Sequence, residues 1–293
     1  TATAIAATCG NTYTLNAIGA TTFSWAPSTG LSCTSCSAPV LTPSASGSYS
    51  VVGTTAGCSD TAYVTVSPNR IYGHITFSSA TPTTPAIKVW LIQFNPSDSS
   101  ITSVDSTTTC IDAGVPYYSF DGKAAGNYLV KAKLLSSVPG TSDYIPTYGA
   151  STANWYLATN ISHGSSINAQ DINMIYGLVP SGPGFIGGYV YSGAGKGTAG
   201  DVPVAGMLVY LKNTAGQVLT YTYTNASGAY SFGSLAYGSY VVYPEEYSYY
   251  TTPSSTITIS SSASSVSNAD FRQYLTSGVI KPITPVTSVC LLY

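Results

Sequence analysis

Tyr118-Ser119-Phe120, followed by Ala125-Gly126-Asn127-Tyr128-Leu129-Val130, returns later in the chain as Tyr230-Ser231-Phe232 followed by Tyr237-Gly238-Ser239-Tyr240-Val241-Val242. The steps from 118 to 230, from 126 to 238 and from 128 to 240 are equal, so the register between the two copies does not slip. Each copy reads as an aromatic strand, a glycine-bearing turn and a second strand whose apolar residues alternate in period two. That is a hairpin fragment of a domain occurring twice. A chain of repeated small β-modules suits a spacer, a stalk, an adhesin or a fibre.

Composition narrows the class. The 293 residues carry only 7% charged side chains, 25 Tyr and abundant Ser, Thr and Gly, which favours strands over a helical cytosolic protein. A hydrophobic fraction of 44% supplies real cores, and at about 100 residues per domain the length predicts two or three modules. With a net charge of −2 and nine Lys plus Arg, no basic field is available for nucleic acid or anionic lipid. No apolar run approaches the roughly 18 residues of a membrane helix. No charged-then-apolar leader opens the chain, and a start at Thr1 suits a processed, secreted protein.

Residues 1–68 read as a first β-sandwich. Tyr13-Thr14-Leu15 and Phe23-Ser24-Trp25 are short strands, Tyr49-Ser50-Val51-Val52 pairs with Ala62-Tyr63-Val64-Thr65-Val66, and Pro27, Gly30, Pro39, Pro43 and Gly47 mark the turns. Cys9-Gly10-Asn11, Ser24-Trp25-Ala26-Pro27, the run from Thr29-Gly30-Leu31-Ser32 to Cys33-Thr34-Ser35-Cys36, Pro39-Val40 and Gly57-Cys58-Ser59-Asp60 resemble the Ig-like or PKD-like repeats of secreted Bacteroidota proteins.

The second unit, 69–180, opens with Ile71-Tyr72-Gly73-His74-Ile75, continues through Ile87-Lys88-Val89-Trp90-Leu91-Ile92 and closes with Asp171-Ile172-Asn173-Met174. The third, 184–275, has the same grammar in Ile186-Gly187-Gly188-Tyr189-Val190, Leu208-Val209-Tyr210-Leu211-Lys212 and a closing Asp270-Phe271. Pro203-Val204-Ala205-Gly206 and Asn225-Ala226-Ser227-Gly228-Ala229-Tyr230-Ser231-Phe232 resemble the transthyretin-like sandwich group: carboxypeptidase regulatory-like, Cna protein B-type and SdrD B-like domains. The second copy departs from that pattern, lacking the Asn-x-x-Gly turn and carrying an insertion over 136–163. The expectation is an all-β chain of three tandem β-sandwich modules, Ig-like first and two transthyretin-like after it. Residues 276–293 form an extended tail.

The resemblance implies two chemistries that the residues do not favour. A Lys–Asn isopeptide bond would join Lys212 to Asn268 or Asn225, but strand alternation places Lys212 opposite Val209 and Leu211, on a solvated face. Calcium needs six to eight oxygens, whereas Asp201, Glu245, Glu246 and Asp270 are the only acids of the third unit, and Glu245-Glu246 reads as a solvated turn. Catalysis finds no support either. His74 and His163 are isolated, and no nucleophile elbow accompanies them. The expectation is a non-enzyme without cofactor or metal. Tyr243, Tyr247, Tyr249 and Tyr250, or Trp155-Tyr156, offer a sugar-stacking alternative against the plainer reading that Tyr fills half-buried sheet faces.

Six cysteines, with one close pair and no nearby histidine, predict disulfides and an oxidising, extracellular compartment rather than zinc. The expected pairs are Cys9–Cys58, stapling the two layers of the first sandwich, and the local Cys33–Cys36. Cys110 and Cys290 remain and are expected to pair. Asp60-Thr61-Ala62 and Asp105-Ser106-Thr107 resemble the Bacteroidota O-glycosylation triplet, which implies Thr61 and Ser106 as acceptors. Ile280-Lys281-Pro282-Ile283-Thr284-Pro285-Val286 is Pro-spaced, and Val289-Cys290-Leu291-Leu292-Tyr293 resembles the lead-in to a type IX secretion sorting domain. The function expected is a secreted structural subunit at the cell surface, self-associating into a filament by strand and tail contacts. The alternatives are an adhesin or carbohydrate-binding stalk that takes surface glycans, and the accessory region of a secreted hydrolase.

Overall fold

The computed structural model describes residues 1–83, 85–95, 97, 100–164, 166–193 and 201–283. The chain is all-β: the only helical element among the described residues is the 3-10 turn Trp155–Leu157. No helix among them is long and apolar enough to cross a membrane.

At the N-terminus two three-stranded sheets face each other. One joins Ala2–Ala6, Tyr13–Ala17 and Val40–Leu41; the other joins Thr22–Ala26, Gly47–Thr55 and Cys58–Val66. Period-two alternation sends Leu15, Ala17, Trp25, Tyr49 and Val51 inward to meet Leu41 and Val66. The Trp25 indole N–H is not wasted in that core, because it donates to the Cys36 carbonyl at 2.9 Å.

The middle of the chain builds a second pair of sheets. Arg70–Phe77 is flanked on one side by Val115–Asp121, antiparallel, and on the other by Ile167–Ala169 and Ile172–Met174, both parallel to it. Facing it, Gly126–Leu134 pairs with Ile87–Asn95, which pairs with Ser100–Thr108. Between the layers lie Ile71, Ile75, Val89, Leu91, Tyr118, Phe120, Val130 and Ile172. The C-terminal part repeats the plan. Ser181–Ser192 pairs antiparallel with Ala229–Leu235 and parallel with Phe271–Tyr274, while Leu208–Asn213 lies between Val218–Tyr223 and Gly238–Glu245 on the opposing sheet. Ile186, Val190, Val209, Leu211, Phe232, Val242 and Phe271 fill that core.

The repeated sequence pattern has one repeated structural cause. Tyr128 folds back over Gly126 and its hydroxyl donates to the Ala124 carbonyl at 3.0 Å; Tyr240 does the same over Gly238, to Ala236 at 2.9 Å. A second correspondence closes each sandwich. The Tyr118 hydroxyl donates to the Gln170 carbonyl and the Tyr230 hydroxyl to the Ala269 carbonyl. The next residue, Asp171 or Asp270, accepts the backbone N–H of His74 or Tyr189, each at 2.8 Å. Gly73 and Gly188 make this approach possible, because a Cβ there would sit 2.1 Å and 2.3 Å from the same two carbonyl oxygens.

The 136–163 insertion is the main departure. Instead of hanging in solvent it packs on the outer face of the C-terminal sheet, where Ile145 and Ala153 join Leu208, Tyr210, Tyr221 and Tyr243 in a cluster. Leu208–Asn213 is therefore buried on both faces for five of its six residues. Hydrogen bonds tie the contact: Tyr210 OH to the Pro146 carbonyl at 3.2 Å, Gly140 N–H to the Tyr221 carbonyl at 2.7 Å and Thr220 Oγ1 to the Thr141 carbonyl at 2.8 Å.

Candidate functional site

The most unusual group of side chains lies where the middle sheet meets the C-terminal one. Gly126–Leu134 turns Val130, Ala132 and Leu134 into its own core, so Lys131 and Lys133 emerge on the opposite face. That face is not open water. Opposite stands the end of Gly238–Glu245, where the Glu245 side chain is only 2% exposed. Its Oε1 accepts from Tyr148 OH at 2.9 Å and from the Trp155 backbone N–H at 3.3 Å. Its Oε2 lies 3.8 Å from Lys131 Nζ but accepts no hydrogen bond among the described residues. Lys131 Nζ donates to Tyr148 OH at 3.1 Å and sits over the Tyr148 and Tyr247 rings. Lys133 Nζ lies 4.9 Å from the Tyr223 ring centroid.

Electrostatics follow from burial in low dielectric. Burial alone would lower the Lys131 ammonium, but the Glu245 charge, aided by Tyr247, holds it above its ordinary value. Burial pushes the Glu246 carboxyl up against the opposing pull of the Tyr247 N–H and Lys131. The Tyr148 phenol rises well above its usual range, first from burial and then from Glu245. Between the two sheets these residues line a cavity of about 270 Å³, together with Trp90, Ser103, Pro146 and Leu208.

Two sequence expectations are corrected here. Lys212 is 7% exposed rather than solvated, because the insertion covers its face: Nζ donates to Asn154 Oδ1 at 3.2 Å and stands 3.8 Å over the Tyr243 ring. Glu245-Glu246 is no solvated turn, since Glu245 is buried and Glu246 half-buried. The asparagines considered for Lys212 are elsewhere. Asn225 Oδ1 accepts from Ser227 and Ala229 in its own turn, and Asn268 lines a groove beside Phe271 and Pro282. The one sequence signal for this cluster was the rarity of charge: with so few ionisable groups, a Glu pair flanked by tyrosines at a strand end marks a place where charge is held.

The cysteines pair differently from expectation. Cys9 is joined to Cys110, not to Cys58, and Cys110 is therefore not free for Cys290. The cause is the docking of the 7–12 turn on the middle sheet: Arg70 Nη1 donates to the Gly10 carbonyl at 2.9 Å, and Gly10 lies against Asp112 beside Cys110. Cys58 opens a strand opposite Thr55 at a hairpin tip, exposed and unbridged among the described residues. Cys33 and Cys36 are bridged to each other. Cys290 and the Val289-Cys290-Leu291-Leu292-Tyr293 motif lie outside the described residues.

The remaining candidates are dispersed. His74 contacts Asp112 at 3.2 Å, while His163 is held between Asn168 and Asn69. Asp201 pairs with Arg272 and Asp270 holds the Tyr189 N–H, so the four acids of the third unit do not converge. Among the described residues no three His, Cys, Asp or Glu side chains are placed to share a metal. Of the aromatics, Tyr243 is buried, Tyr247 packs edge-on to Tyr148, and Tyr250 contacts Trp155 and Tyr156. Thr61 and Ser106 are both exposed on strands, each following an Asp whose carboxylate accepts its N–H.

Residues 184–281 match the family described as SdrD B-like domain. No curated protein matches the chain. Among solved structures, the chain is similar to the minor pilin of Streptococcus agalactiae, at 12% identity and TM-score 0.24, covering 74% of this chain and 97% of that one. It is similar to the major pilin subunit of Bacillus cereus at 10% identity and TM-score 0.24, covering 86% and 93%. A leucine-rich repeat protein from Bacteroides thetaiotaomicron gives 16% identity and TM-score 0.30, covering 74% of this chain and 27% of that one.

Proposed function

We propose that this chain is a secreted, non-catalytic structural protein of the cell surface, whose copies assemble into an extracellular filament through strand and tail contacts. One observation carries the reading. The nine-residue strand Cys58–Val66 is hydrogen-bonded to Gly47–Thr55 on one side and to nothing on the other among the described residues. An unpaired edge of that length is a template for another strand unless charge, proline or a bulge blunts it. Here Asp60 is its only charge, and Tyr63 is 74% exposed on it. A segment added from a neighbour makes a head-to-tail contact that does not close, and such contacts propagate.

The same reading takes 1–68, 69–180 and 184–275 as successive modules and 276–293 as the tail, supported by three separate cores. Its partner is a second copy of itself, with surface glycans the alternative and with neither nucleic acid nor a membrane span required. A Bacteroidota-like source with type IX secretion rests on the residue motifs of the first unit and of 289–293. A termination codon directly after Tyr293 in the precursor gene would remove the sorting-domain part. Glycan mass on Thr61 or Ser106 belongs to this reading too, and unmodified peptides from native material would end it. The filament itself is tested by negative-stain microscopy of the full chain. Elongated polymers are expected, and dispersed monomers at high concentration would leave the adhesin reading ahead.

A further inference from the structure

The geometry points to a binding site for a neutral sugar ring in the cleft between the middle and C-terminal sheets, lined by Trp90, Lys131, Lys133, Tyr223, Glu245 and Tyr247. It holds whether or not copies polymerise.

The polar side of the cleft is unfinished. Glu245 is 4% exposed, yet its Oε2 accepts no hydrogen bond among the described residues, and a buried acceptor left without a donor is costly. Lys133 faces aromatic rings, with no carboxylate among the described residues within ion-pair distance. A group that accepts from Lys133 satisfies that ammonium. A hydroxyl does so without charge, and a pyranose carries several on one rigid ring.

Charge decides against the other ligand classes. Two lysines and two glutamates line the cleft, so its formal charge already balances. A cation would meet Lys131 and Lys133, while an anion drawn to Lys133 would also meet Glu245 and Glu246, and either pays a desolvation cost that a neutral hydroxyl does not. The apolar side supplies aromatic rings for a sugar's C–H face: Trp90, Tyr223 and Tyr247 are all half-buried along the cleft. The volume of about 270 Å³ lies just under the ~300 Å³ at which small-molecule pockets begin, which suits one ring rather than a chain.

The test is titration of the full-length protein with D-glucose, D-galactose, D-mannose, N-acetyl-D-glucosamine, L-fucose and L-rhamnose, each to about 50 mM, a concentration that fills most sites even at a Kd of ~10 mM. Amide and indole NMR shifts report binding. Saturable shifts with at least one sugar are expected, centred on the Trp90 indole. Lys133→Ala and Trp90→Ala should each weaken that sugar about tenfold, the loss of one charge-assisted hydrogen bond or one stacking face. Tyr63→Ala, on a remote strand edge, should leave it unchanged. Both cleft variants remove half-buried side chains, and their amide spectra verify that the fold is kept. No saturable response to any of the six sugars overturns the site, and so does binding that Lys133→Ala and Trp90→Ala leave untouched.

Discussion

Gly73 and Gly188 show how much of this architecture hangs on single atoms. Each lies on the first strand of its sandwich, where the closing segment brings the Gln170 or Ala269 carbonyl so near that a Cβ would overlap it. Backbone on both sides leaves no flexible side chain to give way. Gly73→Ala and Gly188→Ala should therefore each cost roughly 2–4 kcal/mol, the range of strong packing defects. Gly233→Ala, which meets nothing within 4 Å, should cost under about 1 kcal/mol. Urea midpoints of the three variants check this, and equal losses at 188 and 233 would contradict it. Lys212 supplies the second test. Burial lowers its ammonium to about 8, against the opposing pull of Glu245. Its folded proton affinity is below the unfolded one, so between about pH 8 and pH 10 the unfolded chain binds more protons and stability rises with pH. Above about pH 10 the sign reverses, because burial holds Tyr117 and Tyr221 at about 12 while unfolded tyrosines ionise. Denaturation midpoints should peak near pH 9 to 10, and Lys212→Met should abolish the rising limb without touching the falling one.

At the scale of elements, what could be read from the sequence was whatever repeats or alternates. The Gly-x-Tyr turns at 126 and 238 were visible because one local constraint, a tyrosine ring folded over a glycine, leaves the same residues at the same spacing twice. Period two exposed the core faces of Ile87–Asn95 and Leu208–Asn213 for the same reason. Alternation says which face of a strand is apolar, but not what covers the other one. Lys212 was misplaced on that account: its face is closed by residues 153 and 154 of an insertion nearly sixty positions away. The cleft was hidden likewise, because Lys131 and Glu245 come from strands of different sheets, and no spacing rule links them. The disulfide has the same logic. A module boundary suggested that Cys9 would stay within the first sandwich, yet the turn carrying it docks on Arg70 and Asp112. Non-reducing peptide mapping should find Cys9 linked to Cys110. Removing that bridge by Cys9→Ser with Cys110→Ser should cost about 4–5 kcal/mol in the chain-entropy picture, for a sequence separation of 101. A Cys9–Cys58 peptide would overturn the pairing.

For the molecule as a whole, the question is whether stability and assembly use the same surfaces. The contact between the middle and C-terminal sheets is dense, with Tyr210, Tyr221 and Tyr243 buried and hydrogen bonds running in both directions, so it acts as permanent core rather than as a surface offered to another copy. The opposite end of the chain is different. There the strand Cys58–Val66 presents a nine-residue edge that pairs with no further strand among the described residues, on a protein whose low charge gives copies little mutual repulsion. Charge placed on that edge should block strand addition without harming the fold, because Tyr63 points outward and leaves the local core untouched. Tyr63→Lys should therefore keep the wild-type urea midpoint to within about 0.5 kcal/mol. If copies assemble as proposed, it should also reduce polymer in sedimentation and negative-stain images relative to the wild type at the same concentration. Tyr63→Phe keeps the ring without the charge and should assemble normally. If Tyr63→Lys polymerises as well as wild type, the edge of Cys58–Val66 is not the acceptor. If Tyr63→Phe fails too, the lesion is loss of the phenol rather than added charge, and the strand-addition argument falls with it.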